Sequence, residues 1–230
     1  MHEAPSQDMS SDANVPTARS PVRSRRGPEP HQARHSEAPS RGTAGIYADV
    51  FVDIFARTAG LAGAVKVKGH IIYTFDTTSG KSGDILNEDT CNLIRDLMRD
   101  KHCIGVWFGM PCATLSSARH GRDGGPGPLR DYLDVMKPNK ACTPRERQRV
   151  LTANNVMQRM IDIINHCMAN NVPWYIENPR DSRLWKTPII QELERRSGAQ
   201  QSRWDYCQFG TEHMKPTVIM AWQNPFVLMH

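Results

Sequence analysis

DVFVDIFARTAGLAGAVKVKGHIIYTFD, residues 49–76, decides the architecture. Asp49–Phe55 is a short run of Val, Phe and Ile carrying two acids, Asp49 at its start and Asp53 near its end, and it has the length and composition of a buried strand. Small residues follow, and residues 58–67 read as a short helix. His70–Asp76 is a second β-branched and aromatic run that ends on an acid. Strand, helix and strand joined this tightly make a βαβ unit, and such units build a mostly parallel sheet wound on both faces.

The alternation continues downstream. Residues 88–100 place Leu93, Ile94, Leu97 and Met98 at helical spacing, and CIGVWFG (103–109) reads as a third strand. A long Gly/Pro/Arg loop comes next. Thr143-Pro144-Arg145-Glu146 has the form of a capping box with proline at the first helical position. Behind it Val150, Met157, Met160, Ile161, Ile164 and Met168 keep a helical period. VPWYIEN (172–178) is a fourth strand, residues 188–196 a shorter helix, and RWDYCQFG and PTVIMAW read as closing strands. The expected fold is α/β, a doubly wound, mostly parallel, Rossmann-like sheet.

Composition bounds the rest. The chain has 230 residues, a net charge of +5 and a pI near 9.0, which permits a polyanionic partner without demanding one. Residues 1–45 are rich in Ser, Pro, Ala and Arg and poor in large apolar groups. They cannot offset their ordering entropy and read as a disordered tail preceding a domain over 46–230. Within the tail, PVRSRRGP (21–28) reads as a solvated linker, with a nuclear address or a phosphate-touching arm as the other readings. Six scattered cysteines form no CxxC pair and no zinc spacing, so no metal is expected. Reduced thiols in an intracellular compartment are the expectation, nuclear or cytoplasmic being left open, and no run has the length of a membrane span.

In a doubly wound sheet, ligands sit beyond the carboxyl ends of the strands. Asp53 and Phe55 end the first strand and lead into a small-residue turn containing Gly60. Asp76 ends the second, about 20 residues on, where such folds place a carboxylate for ribose hydroxyls. Asp84 follows in a loop, where it reads as an adenine acceptor or, on composition alone, as a turn aspartate. Pro111-Cys112 lies just past the third strand. Its thiol, near Arg119 and backbone N–H groups, reads as a nucleophile or as a half-buried structural cysteine. Glu177 precedes Asn178-Pro179 at the end of the fourth strand, placed for proton work or for anchoring a loop.

A thiol and a carboxyl in one crevice suit chemistry on a cytosine ring. Thiolate addition to C6 makes C5 electron-rich, a carboxyl at N3 stabilises the adduct, and loss of the C5 proton with expulsion of the thiol restores the ring. The base must leave its stack to be reached.

These segments, in this order, resemble the cytosine-C5 DNA methyltransferases, which use S-adenosylmethionine. DVFVDIFARTAGLAGAV is similar to that family's first motif, IIYTFD to its second and Gly83-Asp84-Ile85 to its adenine-contacting motif. GMPCATLSSAR is similar to its Pro-Cys loop and IENP to its Glu-Asn motif. The resemblance spans about residues 47–225. It implies Cys112 as nucleophile and Glu177 as acid, with Asp53, Phe55, Gly60, Asp76, Asp84 and Pro111 at the cofactor. Ser116, Arg119, Arg122 and Arg130 are expected at the nucleic acid, DNA with RNA as the other polynucleotide; the arginines read as phosphate contacts or as exposed loop residues. Methylation of an amino group is less expected, because the strand carrying Cys112 lacks the Asn/Asp-Pro-Pro-aromatic signature.

The chain also departs from that pattern. Arg57 and Ala59 stand where the family's first motif has glycines, which turn the backbone sharply and let it approach the cofactor. The stretch beyond Glu177 is too short for the family's separate target-recognition region. Asp205–Thr217, DYCQFG…KPT, resembles methyltransferase-like domains of mobile elements and phages. Two functions follow: an active cytosine-C5 methyltransferase, or a catalytically silent module on the same fold that binds nucleic acid or a partner.

Overall fold

The structure, a computed structural model, describes residues 48–56, 60–119, 121, 124–209, 212 and 214–223. The expected disordered tail, its basic cluster, the turn residues Arg57 and Ala59, and Arg122 lie outside the described residues.

Among the described residues, six strands form one sheet: β1 (Val50–Ile54), β2 (Ile71–Phe75), β3 (Cys103–Gly109), β4 (Trp174–Pro179), β5 (Gln200–Asp205) and β6 (Pro216–Trp222). Their order is β2-β1-β3-β4-β6-β5. β1 pairs in parallel with β2 and β3, and β3 with β4, while β6 runs antiparallel between β4 and β5. The sheet is therefore doubly wound and mostly parallel, as the sequence predicts. Strand order reverses between β1 and β3, and the crevice at a reversal is where such a sheet binds its ligands.

Among the described residues, four α-helices connect the strands: α1 (Gly60–Val67), α2 (Glu88–Arg99), α3 (Pro144–Ala169) and α4 (Pro188–Ser197). The chain moves one way across the sheet from β1 to β2 and the other way afterwards. Right-handed crossovers then place α1 on one face and α2, α3 and α4 on the other. The α2/α3 side is the well-packed one. Val52, Ile54, Val106, Phe108, Trp174 and Ile176 are buried in one cluster with Ile94, Met98, Met157, Met160 and Ile164. The face toward α1 carries half-buried aromatics, with Phe51 and Tyr175 rings 6.5 Å apart and Trp107 stacked on Tyr175 at 5.8 Å. Gly105 makes that packing possible, since a Cβ there would approach Phe51 to 3.0 Å and Tyr175 to 3.3 Å.

The capping box is formed as read. Thr143 Oγ1 accepts from the Glu146 amide at 3.3 Å, and the Glu146 carboxylate accepts from the Thr143 amide at 3.0 Å. One predicted element changes. The strand expected over RWDYCQFG begins earlier, at Gln200, and ends at Asp205, and Tyr206–Phe209 coil into a 3₁₀ turn. Register explains the boundary: Asp205 pairs with Pro216, the first residue of β6, and the ladder stops there.

Among the described residues no helix is long and apolar enough to cross a membrane. None of their His, Cys, Asp and Glu side chains form a group of three suited to a metal ion.

Candidate functional site

Cross-strand register brings the predicted residues to one edge of the sheet. Asp53 pairs with Trp107, Trp107 with Tyr175, and Gly109 with Glu177. Paired residues share a face, and so do residues two apart on one strand. Asp53, Gly109 and Glu177 therefore lie on the α1 face, at the carboxyl ends of three neighbouring strands. Gly109 keeps the row open. A Cβ there would sit 3.5 Å from the Phe55 carbonyl oxygen and 4.0 Å from Glu177 Oε2, so the ends of β1 and β4 meet across it.

Phe55 turns the chain out of β1 in the left-handed region, at φ 68°, with its amide donating to the Phe75 carbonyl at 2.7 Å. A non-glycine residue there costs about 1–2 kcal/mol and marks a turn fixed by its surroundings. Asp53, just before it, is buried. That burial, and secondly the Asp76 carboxylate, push its pKa up to about 6. Gly60 opens α1 with free space where a side chain would be.

Asp76 caps a 3₁₀ turn over Thr77–Gly83, its Oδ1 accepting from the Thr78 amide at 2.8 Å. Gly83 folds back against it so tightly that a Cβ would lie 2.0 Å from the Asp76 carbonyl oxygen. Asp84 Oδ1 accepts from the Leu86 amide at 2.9 Å. The turn role read from its composition is present, and each carboxylate retains lone pairs for a further donor.

β3 ends at Gly109, Met110 is buried, Pro111 is exposed and Cys112 is partly exposed. The Cys112 carbonyl closes a turn by accepting from the Leu115 amide at 2.8 Å. Asn178, fully buried beside Glu177, donates from Nδ2 to the Met110 carbonyl at 2.6 Å, while its Oδ1 is buried with no partner. The carboxylate of Glu177 pairs with Lys215 Nζ at 3.2 Å, and Lys215 lies 4.7 Å above the Tyr206 ring. Burial, then the Glu177 charge, push the Tyr206 phenol up, with Lys215 opposing.

The expected nucleic-acid residues separate. Ser116 Oγ accepts from the Ala118 amide at 3.2 Å in a local turn. Arg119 donates to the Gly127 carbonyl at 3.1 Å and lies 3.7 Å from the Glu146 carboxylate, retaining partial exposure. The phosphate contact expected of Arg130 is corrected: the residue is 0% exposed. Its guanidinium donates to Thr114 Oγ1 at 3.0 Å, the Val135 carbonyl at 2.8 Å and Asn154 Oδ1 at 2.7 Å. Burial, then Arg183, bring its pKa down to about 10. It is an internal clamp that fastens the loop after Cys112 to α3.

Lys215 and Arg183 are the site neighbours that sequence reasoning does not single out, and Asn178 enters it only as the second residue of the Glu-Asn motif, with no role assigned. Lys215 faces Glu177 because β6 runs antiparallel beside β4, pairing Pro179 with Thr217. The available signal was the Lys-Pro-Thr triplet of DYCQFG…KPT, which carries no information on that pairing.

No protein-family model matches the chain. No curated protein matches it either. Among solved structures the chain is similar to the crystal structure of the S. pombe Dnmt2 methyltransferase, with 12% identity and a TM-score of 0.40. The match covers 75% of this chain and 50% of that one, so the chain spans about half the length of the structure it resembles. A likeness of that degree identifies no ligand or substrate.

Proposed function

We propose that the chain is an S-adenosylmethionine-dependent methyltransferase that modifies C5 of cytosine in DNA through a covalent Cys112 adduct. The observation that carries this reading is the meeting of strand ends. The Pro111-Cys112 turn is held by Asn178, and Glu177 faces Phe55 across Gly109, all at the reversal of strand order.

The residues present fit the cofactor. S-adenosylmethionine brings ribose hydroxyls and two positive charges, and Asp53, Asp76 and Asp84 supply three carboxylates near the ends of β1 and β2. When bound, the cofactor supplies an electrophilic methyl group on a sulfonium. The chain's own residues do the rest. Asp76 accepts from a ribose hydroxyl with the lone pairs that Thr78 leaves free. The Cys112 thiolate forms a bond to C6 of an extruded cytosine, and the ring electrons move toward C5 while Glu177 holds a proton at N3. After C5 is methylated, its proton leaves to a base and the electron pair of the C5–H bond expels the thiolate, restoring the ring.

Incubation with S-adenosylmethionine and DNA containing 5-fluorocytosine tests this, because fluorine blocks the release step. A stable protein–DNA adduct is expected from the native chain and from no Cys112→Ser variant. An adduct that survives that substitution overturns the assignment of the nucleophile.

Arg57 and Ala59 favour the second reading, a silent nucleic-acid-binding module. Calorimetric titration with S-adenosylhomocysteine separates the two. Micromolar binding is expected here, and none from a folded sample moves the assignment to the module.

A further inference from the structure

The loop that follows the Cys112 turn ends in two side chains that no fold requirement explains. Tyr132 is 89% exposed and Leu133 96% exposed, the most exposed large apolar pair in adjacent positions among the described residues. A loose loop tip would account for them, but this loop is fastened throughout. Arg130 and Pro138 form a β-bridge, and the Asp131 amide donates to the Lys137 carbonyl at 2.8 Å. Asp131 Oδ1 accepts from the amides of Leu133 at 2.8 Å and Asp134 at 3.0 Å, so the tip residues themselves are held by a side-chain turn. Beneath the tip, the buried Arg130 guanidinium ties Val135 to Thr114.

The same fastenings join the tip to the Cys112 turn. Thr114 lies two residues beyond the thiol and accepts from Arg130. The Arg183 amide donates to the Leu115 carbonyl at 2.9 Å, and its guanidinium donates to the carbonyls of Arg130, at 2.9 Å, and Asp131. That guanidinium also lies 5.8 Å from the Tyr132 ring. A planar cation beside an aromatic ring, with an aliphatic side chain next to it, makes a surface on which any base can stack. Charge points the same way. Between Cys112 and Arg149 there are eight Lys and Arg against four Asp and Glu, so this segment holds most of the chain's net charge of +5.

We propose that Tyr132 and Leu133 form a preorganised stacking tip that presses against the bases of a polynucleotide beside the cytosine bound at Cys112. The inference rests on the reading of that crevice as a cytosine-modifying site. Ring and aliphatic side chain replace the stacking that a base loses when its neighbour is extruded, and their fixed backbone removes the ordering cost of doing so.

The test uses the full chain with a DNA duplex carrying 2-aminopurine next to a single cytosine. Anisotropy of an end label reads affinity, and 2-aminopurine emission reads unstacking. The native chain is expected to bind and raise the emission. Tyr132→Ala with Leu133→Ala is expected to weaken binding about 10-fold and abolish the rise, with an unchanged melting temperature because neither side chain is buried. Tyr132→Phe is expected to retain both signals. Native affinity and emission in the double variant overturn the proposal. So does self-association that the double variant loses while nucleic-acid binding stays native, which makes the tip an interface between copies. A single-stranded RNA arm giving the signal in place of DNA upholds the tip and moves the substrate to RNA. Failure of the crevice reading looks different: no S-adenosylhomocysteine binding and no 5-fluorocytosine adduct, with the emission rise and its loss in the double variant intact.

Discussion

The side-chain amide of Asn178 donates to the carbonyl of Met110 at 2.6 Å and so ties the strand of Glu177 to the loop of Cys112. Both ends of this link are buried, and Asn178 leads from Glu177 into β6's partner region, where it pairs with Val218. This bond and the β3–β4 register join the strand of the acid to the start of the loop that carries the thiol.

Replacing Asn178 with alanine leaves the Met110 carbonyl without its donor in a buried setting. A loss of about 1–3 kcal/mol in unfolding free energy is expected. On the proposed reading, the rate of adduct formation falls by more than stability accounts for, because the thiol and the carboxyl are no longer held together. Denaturant melts and single-turnover adduct kinetics measured on the same samples check this. A variant equally destabilised but with native adduct kinetics refutes the positioning role of Asn178.

Arg130 and Arg119 look alike in sequence and behave oppositely. Arg130→Met strips a donor from Thr114, Val135 and Asn154 at once, and a cost of about 3 kcal/mol or more is expected. On the proposed reading, the variant below its melting point should keep the native salt dependence of DNA binding, because the buried guanidinium is not placed to reach a phosphate. On the same reading, Arg119→Ala is expected to lower the slope of log K against log salt by about 1, the signature of one lost phosphate contact. Equal slopes in native protein and Arg119→Ala remove Arg119 from the interface.

What the sequence made legible, and what it did not, follows from range. The βαβ unit over residues 49–76 and the Thr143 cap are local patterns, and both form as read. That Asp76, Cys112 and Glu177 sit at or just beyond strand ends was legible because strand ends are visible in an apolar run. The fate of Arg130 was hidden because its partners Thr114 and Asn154 lie 16 and 24 residues away, and a buried arginine has the same letter as a solvated one. Lys215 meets Glu177 across 38 residues through an antiparallel insertion that no local periodicity signals. Tyr206–Phe209 has strand composition, but its ladder partner ends at Pro216, so pairing rather than propensity closed the strand.

Gly83 is constrained by contact, not by backbone angle. Its α-hydrogen faces the Asp76 backbone, and any Cβ would overlap the carbonyl oxygen at 2.0 Å and the carbon at 2.8 Å. The neighbour is main chain and has no rotamer in which to retreat. Gly83→Ala is expected to destabilise by about 1–3 kcal/mol and to push the Asp76 carboxylate from its position. Melting curves read the first effect and S-adenosylhomocysteine calorimetry the second. Native values for both overturn the claim that this contact sets Asp76.

Asp53 gives the fold a pH dependence whose sign is fixed. Burial, then the Asp76 carboxylate, raise its pKa from 3.8 to about 6. As pH rises, the unfolded chain releases this proton first and the native chain last. Between about pH 4 and pH 6 the native state therefore binds more protons, and stability falls through that window. Above pH 6 both states are ionised and the penalty stays constant, on the order of 2–3 kcal/mol. Asp53→Asn keeps the shape and removes the charge. The variant should match the native protein at pH 3.5 and exceed its stability by up to about 2–3 kcal/mol at pH 7.5, the difference opening across that same window. Urea melts of both proteins at four or five pH values measure it directly. On the proposed reading, the stabilised variant also loses affinity for S-adenosylhomocysteine, because the buried negative charge that the fold tolerates at a cost is the one that faces the ligand's cationic end. A difference that is flat with pH would show that the carboxyl of Asp53 titrates alike in the native and unfolded states and does not carry the strain that burial imposes.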